Sequence, residues 1–241
     1  MTQRFLVLQH VAAEHPGIFR QFMQAEGIEW DTVELDAGET LPSLAAYQAL
    51  IVMGGPMDTW QEDLYPWLQQ EKALIRAAVR ERCLPYLGVC LGHQLLAAAL
   101  GGEVGLAQRA EVGVLPVALN DAGLASPFFS GVEPHFECLQ WHGAEVQRAP
   151  ADASVLASSA DCAVQALAVG EHAFSFQFHV EVEANTVDEW VAIPAYRESL
   201  TRVLGADGAS GFRARAAAAM PRFNALARTL YDNWRRVAFK A

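Results

Sequence analysis

The chain has 241 residues, of which 52% are hydrophobic and 19% charged, and its 17 basic and 28 acidic side chains give a net charge of −11. This length suits one α/β domain with a core large enough to need no disulfide or metal for stability. The acidic balance argues against nucleic-acid binding, because a negative surface repels a phosphate backbone. The sequence has no apolar run long enough for a membrane helix and no export-signal pattern, so we expect a cytoplasmic protein with reduced cysteines.

Strand-like and helix-like stretches alternate through the first hundred residues. Apolar runs and alternation predict strands, and apolar residues at helical spacing predict helices. The predicted strands are 5–11, 28–35, 49–53 and 84–89, and the predicted helices are 17–25, 67–82 and 91–100. This order predicts an α/β fold with a mostly parallel central sheet flanked by helices.

The second half of the chain is richer in short strands and ends in helices. We predict strands at 112–119, 137–141, 155–158, 164–169 and 174–179, then a helix at 187–203. A linker-like stretch at 205–211 precedes a helical segment at 212–237. Seven basic residues and one acidic residue follow position 207, so this segment is basic although the rest of the chain is acidic. We therefore predict a domain at 1–207 and a helical C-terminal extension at 208–241 that packs on it.

Cys90 lies where a buried strand gives way to a helix, between Gly88 and Gly92. This Gly-x-Cys-x-Gly pattern is the thiol counterpart of the Gly-x-Ser-x-Gly nucleophile elbow. The glycines remove side chains that would collide at a sharp turn, and the helix N-terminus favours a thiolate. A lone cysteine is more often a small core residue, but the coincidence of strand, glycines and helix start favours a nucleophile here. The other cysteines lack this setting.

His179 closes an apolar strand and Glu181 lies two residues further on, a spacing at which side chains project to the same face of a strand. The Glu181 carboxylate can then orient the His179 ring as the base for Cys90. The Gly54-Gly55-Pro56 turn also follows a buried strand, and backbone N–H groups there and at Leu91 can form an oxyanion hole. Functional groups collect at the carboxyl ends of strands in such sheets, so we expect these segments to meet.

With these motifs the sequence resembles the class I (triad) glutamine amidotransferases over roughly residues 45–185, and most of all the glutaminase part of GMP synthase and its stand-alone relatives. The resemblance implies Cys90 as nucleophile, His179 as base and acid, Glu181 as the orienting group, and Gly55 and Leu91 as oxyanion donors. It also implies that residues near the nucleophile bind glutamine and that Glu111 lies behind them. The implied binding residues are Gly54, Gln94, Trp141, His142 and Gly143.

The resemblance implies hydrolysis of glutamine to glutamate and ammonia through a γ-glutamyl thioester. It implies no cofactor and no metal, and a separate synthetase subunit would hold the ammonia acceptor. Ala144 stands where the family usually has aspartate, which leaves open a γ-glutamyl peptidase acting on glutathione-like conjugates. A non-catalytic regulatory module with the same fold is a further alternative, against which the intact triad argues.

Overall fold

The computed structural model describes residues 3–205 and 208–239. Its strands form one nine-stranded sheet in the order β2-β1-β3-β4-β9-β8-β7-β5-β6. The strands are β1 (Arg4–Gln9), β2 (Glu29–Glu34), β3 (Ala49–Val52), β4 (Tyr86–Val89), β5 (Glu103–Leu119), β6 (His135–Arg148), β7 (Ala153–Ser158), β8 (Ala166–Val169) and β9 (Ala173–Phe176). The helices are α1 (Phe19–Ala25), α2 (Trp67–Arg76), α3 (Leu91–Ala99), α4 (Asp121–Ala125), α5 (Thr186–Ala192), α6 (Pro194–Leu204) and α7 (Gly208–Ala238).

Helices cover both faces of the sheet because the inner strands are apolar on both sides. Phe5 and Val7 of β1 face a cluster that includes side chains of α1 and α7. Leu6 and Leu8, which alternate with them, face a cluster built with α2 and α3. The predicted α/β class, with a central sheet flanked by helices, is confirmed.

The sheet is parallel in one half and antiparallel in the other. The strands β2, β1, β3, β4 and β9 run parallel to their neighbours. The pairs β9·β8, β8·β7, β7·β5 and β5·β6 are antiparallel. The expected parallel order therefore applies to the strands of the first hundred residues and to β9, whereas β5, β6, β7 and β8 join the sheet through antiparallel pairs.

The strands β5 and β6 form a long two-stranded ribbon whose pairing is interrupted near its middle. Glu111 pairs with His142 and Leu106 with Ala144, so residues 107–110 bulge out opposite Gly143. The sequence predicted only 112–119 as a strand here, because the mixed polar and apolar residues of 103–111 lack a clear alternation. The bulge contains Arg109, which lines a cavity of about 750 Å³.

Several predicted boundaries shift in the structure. The strand β9 ends at Phe176, three residues before the predicted end, and the predicted helix 187–203 is divided at Pro194 into α5 and α6. Proline has no N–H to continue a helix but is favoured at the start of one, which explains the division. The predicted helix 67–82 is α2 followed by a π-helical turn, Ala77–Glu81.

The helix α7 packs along the sheet and supplies much of one core cluster. Phe223, Leu230, Trp234 and Val237 are buried, as helical spacing predicts for an inward face, while Leu226 is partly buried. The helix begins at Gly208, inside the stretch predicted to be a linker, of which residues 206 and 207 lie outside the described residues. The division of the chain at residue 207 stays a prediction.

Within the part of the chain that the structure describes, no helix combines the length and the apolar character that a membrane span requires.

Truncating Trp234, the largest buried side chain that α7 contributes, tests whether this helix belongs to the core. The indole is fully buried and meets the Phe5 ring edge-on at 5.8 Å. We expect Trp234→Ala to lower the free energy of unfolding by about 3–5 kcal/mol, since the cavity adds to the lost burial. Arg222→Ala, which removes only an exposed ion pair with Glu137, should cost at most about 1 kcal/mol. Similar urea midpoints for both variants would show that α7 is not part of the core.

Candidate active site

Cys90 occupies the strained turn between β4 and α3. Its backbone has φ 52° and ψ −103°, a left-handed conformation that costs free energy in any residue but glycine. A Cβ atom at Gly92 would lie 2.1 Å from the Val52 carbonyl oxygen, and one at Gly88 would lie 2.8 Å from the Gly92 carbonyl oxygen. Both glycines are therefore required by close backbone approach, as the elbow pattern predicts.

His179 and Glu181 lie in the loop after β9 and contact each other directly. The Nδ1 atom of His179 is 2.7 Å from Oε1 of Glu181, and the other carboxylate oxygen accepts the Val180 N–H at 3.0 Å. The His179 backbone is anchored to Leu139 of β6 by two hydrogen bonds. The predicted proximity is thus present, but it comes from a loop fastened to the neighbouring ribbon and not from one face of a strand.

The electrostatic environment of His179 favours its charged form. Burial by itself lowers the pKa of this imidazole, but the charges of Glu181 and Cys90, with hydrogen bonds to both, raise it well above its ordinary value of 6.5. The Trp190 ring meets the imidazole edge-on, with the ring centroids 4.6 Å apart. The charged form of the imidazole is therefore favoured in its buried position between the Cys90 sulfur and the Glu181 carboxylate.

A cavity of about 750 Å³ opens over Cys90. Gly55 and Leu91 line it, and within the described part of the chain neither of their backbone N–H groups has a hydrogen-bond acceptor. Both predicted oxyanion donors are therefore free at the cavity wall. Its other lining residues include Gln94, Trp141, His142, Gly143, Ala144, Tyr196, Arg109 and Arg202.

Gln94 lines this cavity, yet its amide nitrogen is already engaged. It donates to the Ala144 carbonyl at 3.1 Å and to Oε1 of Gln177 at 3.0 Å. Only the Gln94 side-chain oxygen is left for a ligand, and an oxygen can only accept. Gly54, by contrast, does not line the cavity wall but precedes Gly55, which does.

His142 and Glu111 form a buried pair behind the cavity wall. The His142 Nε2 atom is 3.0 Å from Oε2 of Glu111, and Nδ1 donates to the Ala144 carbonyl at 2.9 Å. Glu111 therefore contacts a cavity-lining residue, as predicted, and no contact between it and Cys90 is present in the described residues. Trp141 is held by a 2.8 Å bond from its indole N–H to Ser199 of α6.

Gln177 is a contact of the nucleophile that the sequence did not single out. Its amide nitrogen lies 3.5 Å from the Cys90 sulfur, and its oxygen accepts from Gln94. The residue lies between Phe176 and Phe178, in a segment of which the sequence analysis interprets only His179 and Glu181. The signal available in the sequence was a glutamine two residues before His179, at the end of a predicted buried strand.

Glu14 and His10 are buried near the site, although neither is among the site residues predicted from the sequence. One Glu14 oxygen accepts from the Tyr196 hydroxyl, and the other has no hydrogen-bond partner among the described residues. Burial raises the pKa of the Glu14 carboxyl. His10 contacts Glu71 and the Gly54 carbonyl. Sequence patterns could not show either environment, because the partners are distant in the chain.

His93, three residues after Cys90, has a structural role. It is fully buried, and its ring nitrogens contact Ser175 at 2.9 Å and the Val164 carbonyl at 3.1 Å. Burial lowers its pKa to about 3, so the ring is neutral.

Cys83 is exposed, whereas Cys138 and Cys162 are buried in the core.

Glu111, His142 and Cys162 bring three potential metal ligands within 4.8 Å of one another. Their polar atoms are already satisfied by the protein. Glu111 accepts from both His142 and Gln165, and the Cys162 thiol lies 3.6 Å from the Val164 carbonyl. Burial raises the pKa of Cys162, which keeps the thiol protonated. We interpret this cluster as structural.

The chain belongs to the class I glutamine amidotransferase family, whose model matches residues 17–192. It is 32% identical over 194 residues to the glutamine amidotransferase-like protein YfeJ of Salmonella typhimurium, covering 78% of this chain and 79% of that protein. It is 30% identical to a subunit of the glutamine-hydrolysing GMP synthase of Sulfolobus acidocaldarius, covering 64% of this chain and 77% of that protein. A glutamine amidotransferase structure from Methylobacillus flagellatus superposes with a TM-score of 0.89 at 29% identity, over 100% of this chain and 97% of that one. Members of this family are enzymes, so the chain is identified as one.

The raised pKa of His179 predicts a specific response to removal of its carboxylate partner. In Glu181→Gln the pKa of His179 should fall, because burial still lowers it and the carboxylate charge that opposes burial is gone, whereas in the unmodified protein it lies well above 6.5. Imidazole NMR titration of both proteins measures this difference. Because the folded-state pKa is raised, the stability gained from protonated His179 is complete below about pH 6.5 and is lost as the pH rises through the folded-state value. Equal titration midpoints in the two proteins would contradict this account.

Proposed function

We propose that the protein hydrolyses the side-chain amide of glutamine to glutamate and ammonia with Cys90, His179 and Glu181 as a catalytic triad. The observation that supports this most directly is Cys90 at a left-handed turn at the start of α3, beside a histidine bonded to Glu181 at 2.7 Å. This arrangement supplies a nucleophile, its base and the group that orients the base.

In the proposed reaction His179 takes the proton of the Cys90 thiol, the sulfur attacks the γ-carbonyl carbon of glutamine, and the carbonyl electrons move to the oxygen. The Gly55 and Leu91 N–H groups stabilise that oxyanion. The C–N bond then breaks, His179 gives its proton to the leaving nitrogen, and ammonia departs from a γ-glutamyl thioester. His179 next takes a proton from water, which attacks the thioester and releases glutamate and the Cys90 thiol.

We assign recognition of the amino-acid end of glutamine to the wall formed by Gln94 and residues 141–143. The free oxygen of Gln94 suits the α-ammonium group, because an oxygen accepts and an ammonium donates. Trp141, held by Ser199, and His142, held by Glu111, are fixed in place before substrate binds. Such preorganisation lowers the entropy cost of binding.

We further propose that the ammonia serves a separate synthetase subunit in the cytoplasm. The support is the similarity to the GMP synthase of Sulfolobus acidocaldarius, in which the matching chain is named as one subunit of the enzyme. Relatives from Sulfurisphaera tokodaii and Methanocaldococcus jannaschii are named in the same way. The synthetase subunit would then determine which molecule accepts the ammonia.

Replacing the nucleophile tests the triad. Cys90→Ala should reduce glutamate release from glutamine by at least about 1,000-fold, because triad members act as a unit. Cys83→Ala is the matched control, since Cys83 is exposed and also has a positive φ of 47°. Full glutamine hydrolysis by Cys90→Ala would exclude this residue as nucleophile. A wild-type Cys90 that resists alkylation at neutral pH would instead favour the non-catalytic module.

A second candidate function is hydrolysis of γ-glutamyl peptides or conjugates by the same triad. The observation that favours it is the cavity of about 750 Å³, a size typical of sites for ligands much larger than glutamine. Arg109 and Arg202, which are not part of the triad, also line this cavity, and both side chains are exposed. Guanidinium groups suit carboxylates such as those at the end of a peptide substrate.

A substrate panel separates the two candidates. If the protein is a peptidase, kcat/KM for glutathione-like compounds should exceed that for glutamine, and Arg202→Gln should reduce only the former, by about 5–10-fold for a lost charge-assisted bond. If it is a glutaminase, glutamine should be preferred and Arg202→Gln should leave its hydrolysis unchanged. Coupled glutamate-release assays on both substrates measure the outcome.

A further inference from the structure

A second buried histidine–carboxylate pair lies directly behind the Gly54-Gly55 turn. His10 follows β1, and Glu71 projects from α2; both side chains have no exposed surface. The His10 Nε2 atom is 2.9 Å from Oε1 of Glu71, and Nδ1 is 2.8 Å from the Gly54 carbonyl oxygen. The triad does not use this pair, and burying two ionisable groups is costly unless they are well bonded.

The partners of His10 define where its protons lie. A carbonyl oxygen only accepts, so Nδ1 must carry a hydrogen and donate it to Gly54. Burial lowers the pKa of His10, but Glu71 and the Gly54 carbonyl, with a smaller effect of Glu14, raise it above its ordinary value of 6.5. The ring stacks on Trp67 with 24° between the planes, which fixes its orientation. His10 is thus held as a donor to a backbone carbonyl, and the neighbouring Glu71 carboxylate favours the charged form of its ring.

That carbonyl belongs to the same peptide group as the Gly55 N–H. In a trans peptide the C=O and N–H point in opposite directions, and the described residues contain no cis peptide. With the carbonyl held by His10, the N–H must leave from the opposite edge of the peptide. Gly55 lines the cavity there with Cys90 and Leu91, and among the residues described its N–H has no acceptor.

The two glycines are also confined sterically. A Cβ atom at Gly55 would lie 2.7 Å from the His10 Cβ and 3.0 Å from a Leu91 methyl group. One at Gly54 would lie 2.5 Å from the Glu14 carboxylate oxygen that has no partner among the described residues. The peptide is therefore enclosed between His10, Glu14 and Leu91, and its orientation is set by the bond from His10.

We propose that His10 and Glu71 are positioning residues that orient and polarise the Gly54–Gly55 peptide as an oxyanion donor. A cation bonded to the carbonyl draws electron density from the peptide, which strengthens the N–H as a donor. Neither residue touches substrate or gains or loses a proton in the reaction. This proposal rests on the proposed function for the identity of the natural substrate. The effect on the Gly55 N–H itself applies to any acyl transfer to Cys90.

Two reagents that react with Cys90 in different ways test the proposal. Acylation by p-nitrophenyl acetate passes through a tetrahedral oxyanion, whereas alkylation by iodoacetamide displaces iodide and forms none. We expect His10→Gln to lower the ratio of the acylation rate to the alkylation rate by about 10–100-fold, below the loss for deleting a whole oxyanion donor. Rates of Cys90→Ala, treated in parallel, are subtracted to remove reaction at the exposed Cys83.

Glu71→Gln and His172→Gln complete the design. Glu71→Gln keeps an acceptor for His10 but removes the charge, so it should fold if His10→Gln does not, and it should lower the ratio by about 3–10-fold. His172→Gln removes a comparable bond, from Nε2 to the Val79 carbonyl at 3.0 Å, away from the cavity, and should leave the ratio unchanged. An unchanged ratio in folded His10→Gln or in Glu71→Gln overturns the proposal.

This design also keeps two failures apart. If the wild-type protein releases glutamate from none of the γ-glutamyl compounds, the proposed function fails, yet the reagent ratio still decides the role of His10 and Glu71. If glutamine is hydrolysed and the ratio is unchanged in the variants, only the positioning role is wrong.

Discussion

The structure of the site depends on the close approach of α3 to β3. The Cα of Gly92 packs so tightly against the Val52 carbonyl that a Cβ would lie 2.1 Å from its oxygen, and the Gly92 N–H donates to the Met53 carbonyl at 3.1 Å. This contact forces the chain to turn sharply at Cys90, which takes up the strain as a left-handed residue. Because Val52 and Met53 lead directly into Gly54, the same contact sets the distance between the nucleophile and the turn opposite it.

Among the residues that the structure describes, three buried histidine–glutamate pairs lie near the site: His10 with Glu71, His142 with Glu111, and His179 with Glu181. The three pairs differ in the contact made by the ring nitrogen that does not face the glutamate. In His10 and His142 that nitrogen donates to a backbone carbonyl, of Gly54 and Ala144, so these rings hold the cavity wall in shape. In His179 it faces the Cys90 thiol, so only this ring is placed to exchange a proton with the nucleophile. The same pair of residue types thus supplies both rigidity and chemistry.

The sequence predicted those parts of the molecule that depend on local pattern. Gly88, Cys90 and Gly92 lie within five residues, so their pattern could be found in the sequence, although the carbonyl that requires Gly92 belongs to the distant Val52. The parts that it missed depend on contacts between distant segments. His10 and Glu71 are 61 residues apart, and Gln177 and Cys90 are 87 apart. Nothing near these residues in the chain signals the partner, and the β5·β6 bulge likewise arises from pairing and not from local preference.

The position of α7 has a consequence for the order in which the chain can fold. Phe5 of β1 is enclosed by Trp234 and Phe239, and Glu26 beside α1 binds Arg228 and Arg235. Contacts between segments so far apart are slow to form, because a long loop must close first. During synthesis, β1 emerges from the ribosome more than two hundred residues before the helix that covers it. The part of this apolar face that α7 covers, beyond the part that α1 covers, therefore stays exposed until α7 has been made, and transiently exposed apolar surface promotes aggregation.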